Sequence, residues 1–194
     1  VAWAYTGMTF LTLIISRTLL ILKHPDTARE RSEAGRQENV KSWDQFLMPL
    51  TALVGPLVSW IIAGLDYRFG WSPDLPDPVQ VAALGVIFAG GMIGTWAMLA
   101  NPFFSSHVRI QTERGHQVIS AGPYRWVRHP GYASGILSWI AAPFYFSSYW
   151  VAIPTVLVIT AMVLRTALED RVLWEELPGY REYTRQVRYR LLPG

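Results

Sequence analysis

Three apolar segments of this chain are each long enough to cross a lipid bilayer as a helix. They are residues 2–22, about 45–65 and 79–100. A helix rises 1.5 Å per residue, so a segment of about 21 residues extends about 31 Å, close to the thickness of the hydrocarbon core. With 51% hydrophobic and only 16% charged residues, the chain is too apolar for an ordinary soluble domain. The segments therefore predict an integral membrane protein built from helices.

A fourth apolar region, residues 132–164, is too long for one ordinary span. It is interrupted by Pro143, Ser147, Ser148 and Pro154, and proline and serine favour turns. We therefore expect a helical hairpin with its turn near Ser147. The predicted fold class is all-α: a polytopic membrane protein with about five transmembrane helices, a cytosolic loop at 101–131 and a C-terminal amphipathic helix. The first apolar segment has no basic stretch before it, so we expect it to be a retained helix and not a signal peptide.

Basic residues are concentrated in three of the polar segments. Of the 17 Lys and Arg residues, 15 fall in segments 23–42, 101–131 and 165–194, and Arg17 lies near the end of the first span. Cytosolic loops of membrane proteins carry an excess of Lys and Arg. The distribution predicts an outside N-terminus and a cytosolic C-terminus. The polar segment 101–131, here called the third loop, and the segment 165–194, here called the tail, then lie in the same compartment. We expect residues 1–100 to form a three-helix part and residues 101–194 to carry the chemistry.

The composition excludes several kinds of chemistry. The sequence has no cysteine, which rules out disulfides, thiolate nucleophiles and cysteine-bound metal. The net charge is +3, but the basic residues occupy short loops and not one continuous surface, so we expect no nucleic acid as a partner. We also expect no metal. Chemistry must come from His, Tyr, Arg and carboxylates.

Residues 116–132, HQVISAGPYRWVRHPGY, are the segment most typical of a ligand-binding loop. Gly122 and Pro123 predict a turn, and the proline after His129 keeps that residue out of the helical conformation. Tyr124 and Trp126 offer flat aromatic surfaces. Aromatic and basic residues also gather at membrane interfaces, where they contact headgroups. The loop alone therefore leaves both a ligand site and a membrane anchor open.

A second cluster lies after the last apolar segment. Arg165 and Glu169 are four residues apart and share one face of a helix. Ionisable residues at the membrane boundary usually serve function, so we expect this pair to face the third loop. Arg171 and Glu175 have the same spacing within the polar tail, where an ordinary surface ion pair is expected. In the third span, Gly90 and Gly94 have the spacing that allows close packing of helices.

In order and spacing, these motifs resemble the isoprenylcysteine carboxyl methyltransferase family. The shared motifs are Gly-Pro-Tyr-x-x-x-Arg-His-Pro-x-Tyr at 122–132, Arg-x-x-x-Glu-Asp at 165–170, Tyr-Arg-Glu-Tyr at 180–183 and Val-Arg-Tyr-Arg-Leu-Leu-Pro at 187–193. The first three spans match only as hydrophobic helices. Members of this family bind S-adenosylmethionine at the cytosolic membrane face and methylate the C-terminal carboxylate of a prenylated cysteine.

The resemblance implies a cofactor pocket for S-adenosylmethionine and a residue that faces the substrate. The implied cofactor-binding residues are His116, Gln117, Val118, Ile119, Tyr124, His129, Pro130, Gly131, Tyr132 and Glu169. The implied catalytic residue is Arg165, which would orient the substrate carboxylate. A carboxylate is already ionised at neutral pH, so the reaction requires no general base. The implied partners are the membrane and a lipid-modified or lipidic substrate.

Three other functions remain open from the sequence. Phospholipid methyltransferases and nicotinamide-dependent membrane reductases are more loosely similar in the same C-terminal pattern. The helices could also form a scaffold or lipid-binding module without enzymatic activity. Binding of S-adenosylhomocysteine or of reduced nicotinamide dinucleotide phosphate would separate the two enzyme classes. For a pure scaffold, Glu169→Ala should leave all ligand binding unchanged.

Overall fold

A computed structural model describes residues 2–33 and 39–193, with side chains from Gly7 onward. Its regular secondary structure is entirely helical in this part of the chain. The helices are α1 (Ala2–Lys23), α2 (Pro25–Ser32), α3 (Asp44–Pro49), α4 (Gly55–Phe69), α5 (Asp77–Ala100), α6 (Pro130–Tyr145), α7 (Ala152–Glu176) and α8 (Tyr180–Gln186). The all-α prediction is thus confirmed for the described residues. Arg36, one of the basic residues of the first loop, lies outside them.

A π-helical turn at Leu50–Val54 joins α3 and α4 into one helix, Asp44–Phe69. Pro49 precedes this turn and lacks the backbone N–H that a regular helix would use. The Thr51 hydroxyl donates a hydrogen bond to the Leu47 carbonyl at 3.0 Å. A π turn within a helix is rare and often lies at a functional site. Here it brings one side of the helix to the cavity described below.

Three helices in the described residues have both the length and the composition to cross a bilayer. They are Asp44–Phe69, Asp77–Ala100 and Ala152–Glu176. The helix α1 has 22 residues, and α6 has 16. Large apolar side chains on the outer surfaces are exposed, including Leu22 at 76% and Leu157 at 63%. Long helices with an apolar outer surface match a lipid environment and support a multi-pass membrane protein.

The predicted turn near Ser147 is confirmed. Helix α6 ends at Tyr145, α7 begins at Ala152, and Ser147 has a positive φ of 52°. The Ser147 hydroxyl accepts a hydrogen bond from the Leu75 backbone N–H at 2.6 Å, and the Ser148 hydroxyl donates to the Asp66 carboxylate. These bonds hold the end of α4 and the α4–α5 loop against the α6–α7 turn, at the end of the bundle opposite the cavity.

Two helices differ from the sequence expectation. The charged segment 23–42 contains α2, in which Thr27 and Glu30 are buried, because Thr27 donates to the Pro102 carbonyl and Glu30 accepts from Ser105. Helix α7 continues beyond the apolar run to Glu176. The C-terminal amphipathic helix is consequently only α8. Hydropathy marks where a helix can lie in lipid, but polar tertiary contacts decide where it ends.

Helix α5 packs closely against α6 through its glycines. A Cβ added at Gly90 would lie 2.8 Å from the Ser134 carbonyl oxygen, and one added at Gly94 would lie 3.0 Å from the Ser134 hydroxyl. Both distances are too short for an unshifted side chain. The interpretation of Gly90 and Gly94 as a close-packing motif is therefore confirmed, and this contact fixes α6 where it leaves the third loop.

We expect Gly90→Ala to lower the thermal stability of the detergent-solubilised protein. The added methyl group must push α6 away, and such overpacking costs about 1–3 kcal/mol. Gly85→Ala is the matched control in the same helix, because no atom lies within 4 Å of its added Cβ. Thermal unfolding followed by circular dichroism measures both variants. Equal melting temperatures would contradict the close contact.

Candidate functional site

A cavity of about 460 Å³ lies where α1, α2, the π turn, the third loop, α6, α7 and the tail meet. Ligand pockets in proteins commonly measure about 300–1,000 Å³. One part of its wall comes from the third loop and the tail. Another part is apolar and comes from Met48, Ala52 and Met162, in the membrane-crossing helices. The cavity therefore joins a polar end to an apolar one.

Nine of the ten implied cofactor-binding residues line this cavity, as does Arg165. The nine are His116, Gln117, Val118, Ile119, Tyr124, His129, Gly131, Tyr132 and Glu169. Pro130 does not line it, because it is fully buried as the first residue of α6, a position that suits proline. The structure thus brings the implied residues around one space, and their individual roles remain predictions.

Asp170 ties the third loop to the tail. Its carboxylate accepts hydrogen bonds from Arg128 Nε at 2.8 Å, the Tyr180 hydroxyl at 2.8 Å and Arg190 Nε at 2.8 Å. His129 Nε2 also lies 3.1 Å from it. Burial alone would lower the pKa of Arg128, but the hydrogen bonds and charge of Asp170 raise it above its ordinary value. Arg128 therefore stays charged within a buried and compensated network.

The backbone of the third loop pairs with the backbone of the tail. The N–H of Arg128 donates to the Tyr189 carbonyl at 2.9 Å, and the N–H of His129 donates to the Arg190 carbonyl at 2.9 Å. The Tyr183 hydroxyl donates to the Tyr124 carbonyl at 2.5 Å. The sequence prediction that loop and tail lie on the same side and form one site agrees with these contacts. Residues 187–190 therefore lie across the third loop and hold it by these hydrogen bonds, and we call them the strap.

Arg165 is held by Asp44, an interaction that the sequence analysis missed. The Asp44 carboxylate lies 2.5 Å from Arg165 Nε and 3.1 Å from Nη2, and Nη2 also donates to the Ser106 carbonyl at 2.7 Å. Asp44 is fully buried. Arg165 Nη1 makes no hydrogen bond with any residue that the structure describes. The charge of Arg165 is thus balanced, while one directed donor remains at the cavity wall.

Tyr132 lies between the two charged residues of α7. Its hydroxyl donates to Glu169 Oε2 at 2.6 Å, and the Arg165 guanidinium lies 5.5 Å from the centre of its ring. Arg165 and Glu169, which the spacing places on one helical face, therefore both reach the cavity. Glu169 is only half-buried, so its carboxylate can accept further hydrogen bonds from a ligand.

His116 is a neutral side chain at the other end of the loop. Its ring stacks on Phe103 at 4.7 Å, and its Nδ1 accepts a hydrogen bond from the Gln111 backbone N–H at 3.3 Å. Burial, helped by the positive charges of Arg114 and Arg109, lowers the pKa of His116 to about 4. At neutral pH the imidazole is therefore uncharged, with Nδ1 as an acceptor and Nε2 as the remaining donor.

Residues 117–120 present unused backbone groups beside the cavity. This segment has no regular secondary structure, and among the described residues it forms no hydrogen bond through its backbone. Backbone N–H and C=O groups seldom remain unpaired in a folded protein. The strip can pair with the polar edge of a flat heterocycle, which is chemistry that the side chains of Val118 and Ile119 could not supply.

Several cavity residues escape the sequence analysis. Arg17 of α1 and Arg31 of α2 line the cavity, although nothing in their local sequence links them to the third loop. The one available signal for Asp44 is its position at the start of a span on the predicted cytosolic side, where it can neutralise an arginine of another span.

Residues 82–176, nearly half of the chain, match the model of the isoprenylcysteine carboxyl methyltransferase (ICMT) family. No curated protein matches the chain. The matched region runs from α5 to the end of α7 and contains every implied site residue. The tail that straps the loop lies outside it.

Proposed function

We propose that this protein, which belongs to the isoprenylcysteine carboxyl methyltransferase family, methylates the carboxylate of a prenylated cysteine or of a similar lipidic acceptor. Members of the family are S-adenosylmethionine-dependent carboxyl methyltransferases, so the enzyme class follows from the family. The acceptor is the part that we propose. The observation that carries it is one cavity in which the free donor of Arg165, the Glu169 carboxylate and an apolar wall meet.

The lining residues fit S-adenosylmethionine. The unpaired backbone of 117–120 can pair with the purine edge, and Glu169 can accept hydrogen bonds from the ammonium group or the ribose hydroxyls. The rings of Tyr124 and Tyr132 can lie against a cation. The cavity volume of about 460 Å³ suits a ligand of this size. When bound, S-adenosylmethionine supplies an electrophilic methyl group on its sulfonium.

The proposed role of the protein in methyl transfer is alignment. Arg165 Nη1 would hold the acceptor carboxylate, and Asp44 and Ser106 hold the guanidinium in place. Because a carboxylate is ionised at neutral pH, no residue has to remove a proton. The Nδ1 of His116 is already occupied, and the Nε2 of His129 lies at Asp170. Alignment within a site that excludes water can supply much of the acceleration.

We place five spans in the membrane, at α1, Asp44–Phe69, α5, α6 and α7, with the N-terminus outside and the C-terminus cytosolic. The short α6 is extended by the turn that contains Ser147. The support for this orientation is the concentration of Lys and Arg around the cavity end of the bundle. The apolar wall at Met48, Ala52 and Met162 would receive the lipid tail of the acceptor.

Calorimetric titration of the purified protein with S-adenosylmethionine and S-adenosylhomocysteine tests the proposal. We expect saturable binding to the wild type and binding at least about tenfold weaker to Glu169→Ala, since a charged hydrogen-bond partner is lost. Glu175→Ala, an exposed position of the same helix, is the matched control and should bind like the wild type. Binding of reduced nicotinamide dinucleotide phosphate, with no binding of either sulfur ligand, would overturn the proposal.

A further inference from the structure

Two arginines, Arg17 and Arg31, line the cavity together with Arg165. Neither forms an ion pair with an acidic side chain in the described part of the chain. They belong to α1 and α2, outside the region that matches the family. The proposed alignment of the carboxylate relies on Arg165 and gives these two residues no role.

Arg31 is a cation without an acidic partner among the described residues. Its Nε is buried and has no hydrogen-bond partner among the described residues. Its Nη1 makes only a long contact of 3.4 Å with the Phe104 carbonyl, and its guanidinium lies 5.4 Å from the centre of the Phe104 ring. A buried charged donor without an acceptor is costly. Such a group is poised to receive an anionic ligand.

The two arginines also repel each other. Burial first, and then the positive charge of Arg17, lowers the pKa of Arg31 to about 10; Arg165 adds to this effect, and Glu30 opposes it in part. Arg31 therefore stays protonated at neutral pH. An anion bound between two positive charges offsets their mutual repulsion.

The other arginines of the cavity have acidic partners. Arg165 is paired with Asp44, and Arg128 is paired with Asp170. Arg109 lies 2.7 Å from Glu113 and 3.4 Å from Glu30. The positive charge that the cavity offers to a ligand therefore comes mainly from Arg17 and Arg31.

We infer that Arg17 and Arg31, together with the free Nη1 of Arg165, form an anion-binding site that recognises the carboxylate of the acceptor. This inference rests on the proposed function and assigns to it two further residues that determine specificity for the charged acceptor. The apolar residues of the same cavity, such as Met48 and Ala52, require an amphiphile, so the ligand is an anionic head on an apolar tail. A head group whose only charge is positive is repelled.

The acid and its methyl ester form a matched ligand pair for the test. N-acetyl-S-farnesylcysteine carries the carboxylate, and its methyl ester has nearly the same shape without the charge. Each is titrated calorimetrically into the full-length protein in non-ionic detergent, with the variants Arg17→Gln and Arg31→Gln. Arg29→Gln is the control in α2, because Arg29 is exposed and paired with Glu33.

We expect each glutamine variant to weaken binding of the acid about tenfold or more, as for the loss of a charged hydrogen bond. The ester should bind all variants equally, and Arg29→Gln should match the wild type. Arg31→Lys should retain part of the affinity, because it keeps the charge. Dodecyl phosphate should displace the acid, and inorganic phosphate should not; displacement by inorganic phosphate would make the site one for free anions.

Retained binding of S-adenosylhomocysteine shows that each variant is folded. Unchanged affinity for the acid in both glutamine variants of folded protein would overturn the anion site. Because the titration requires no turnover, it separates the two claims. A wild type that binds the acid more tightly than the ester, but transfers no methyl group, would refute the proposed function and leave the anion site standing.

Discussion

Arg165→Lys is expected to lower the rate of methyl transfer about 100-fold and to leave the affinity for S-adenosylhomocysteine unchanged. Lysine keeps a positive charge opposite the buried Asp44, so the fold is preserved. It lacks the planar fork that now bonds Asp44 through Nε and Nη2 and leaves Nη1 free at the cavity wall. A misplacement of about 1 Å in a reacting group can cost about 100-fold in rate.

Lysine is a sharper test than alanine at this position. Arg165→Ala would leave the Asp44 carboxylate buried without its partner, and breaking such a pair destabilises a protein by about 3–5 kcal/mol. Arg29→Lys, on the exposed face of α2, is the control. The measurements are kcat and KM at saturating S-adenosylmethionine, with calorimetry for the cofactor. A variant that loses cofactor affinity but keeps kcat would contradict the proposed role of Arg165.

Asp170→Asn should release the tail from the third loop. The asparagine removes the charge that holds Arg128 and Arg190, and the loss of a buried partner costs about 3–5 kcal/mol. The backbone N–H groups of Arg128 and His129 donate to carbonyls of the tail, so their hydrogen exchange reports on this contact. We expect both amides to exchange more than about 100-fold faster in the variant.

Glu175→Gln is the matched control for this experiment. Glu175 pairs with Arg171 at 2.8 Å, and both side chains are largely exposed, as the sequence spacing predicts. Such an exposed pair contributes little to stability, so exchange at the loop amides should stay at the wild-type rate. Slow exchange at both amides in Asp170→Asn would show that Asp170 does not hold the strap.

The apolar spans are the part of the fold that the sequence predicts best. The run at 45–65 lies within the helix Asp44–Phe69, and the run at 79–100 lies within α5. The turn at Ser147 also follows from local residues. In these elements the signal is local, because a lipid environment demands a long apolar helix whatever the rest of the chain does.

Elements that depend on distant contacts are not predictable in this way. Helix α2 is charged, and it is ordered by bonds to the segment after α5, such as the one between Glu30 and Ser105. The Arg165–Asp44 pair joins residues on two different spans. Neither contact leaves a local pattern in one sequence. The charged continuation of α7 is likewise explained only by the partners that Asp170 finds in the loop and the tail.

Some residues of the candidate site can likewise be predicted from local sequence motifs, and others depend on distant contacts. Motif similarity correctly gathers the third loop and Glu169 around one cavity, because their order and spacing are specific. It does not separate residues that face a ligand from residues that shape the loop, and so it includes the buried Pro130. Arg17 and Arg31 stand outside every motif, and only the packing of α1 and α2 brings them to the cavity.

The most direct test of the account is transfer of a labelled methyl group from S-adenosylmethionine by the purified full-length protein. N-acetyl-S-farnesylcysteine and liposomes that contain phosphatidylethanolamine are offered in parallel. Carboxyl methylation forms an ester, so base treatment should release the label as methanol from the prenylated cysteine, with no label in the phospholipid. Base-stable label in the phospholipid, or no transfer to the prenylated cysteine, would contradict the account.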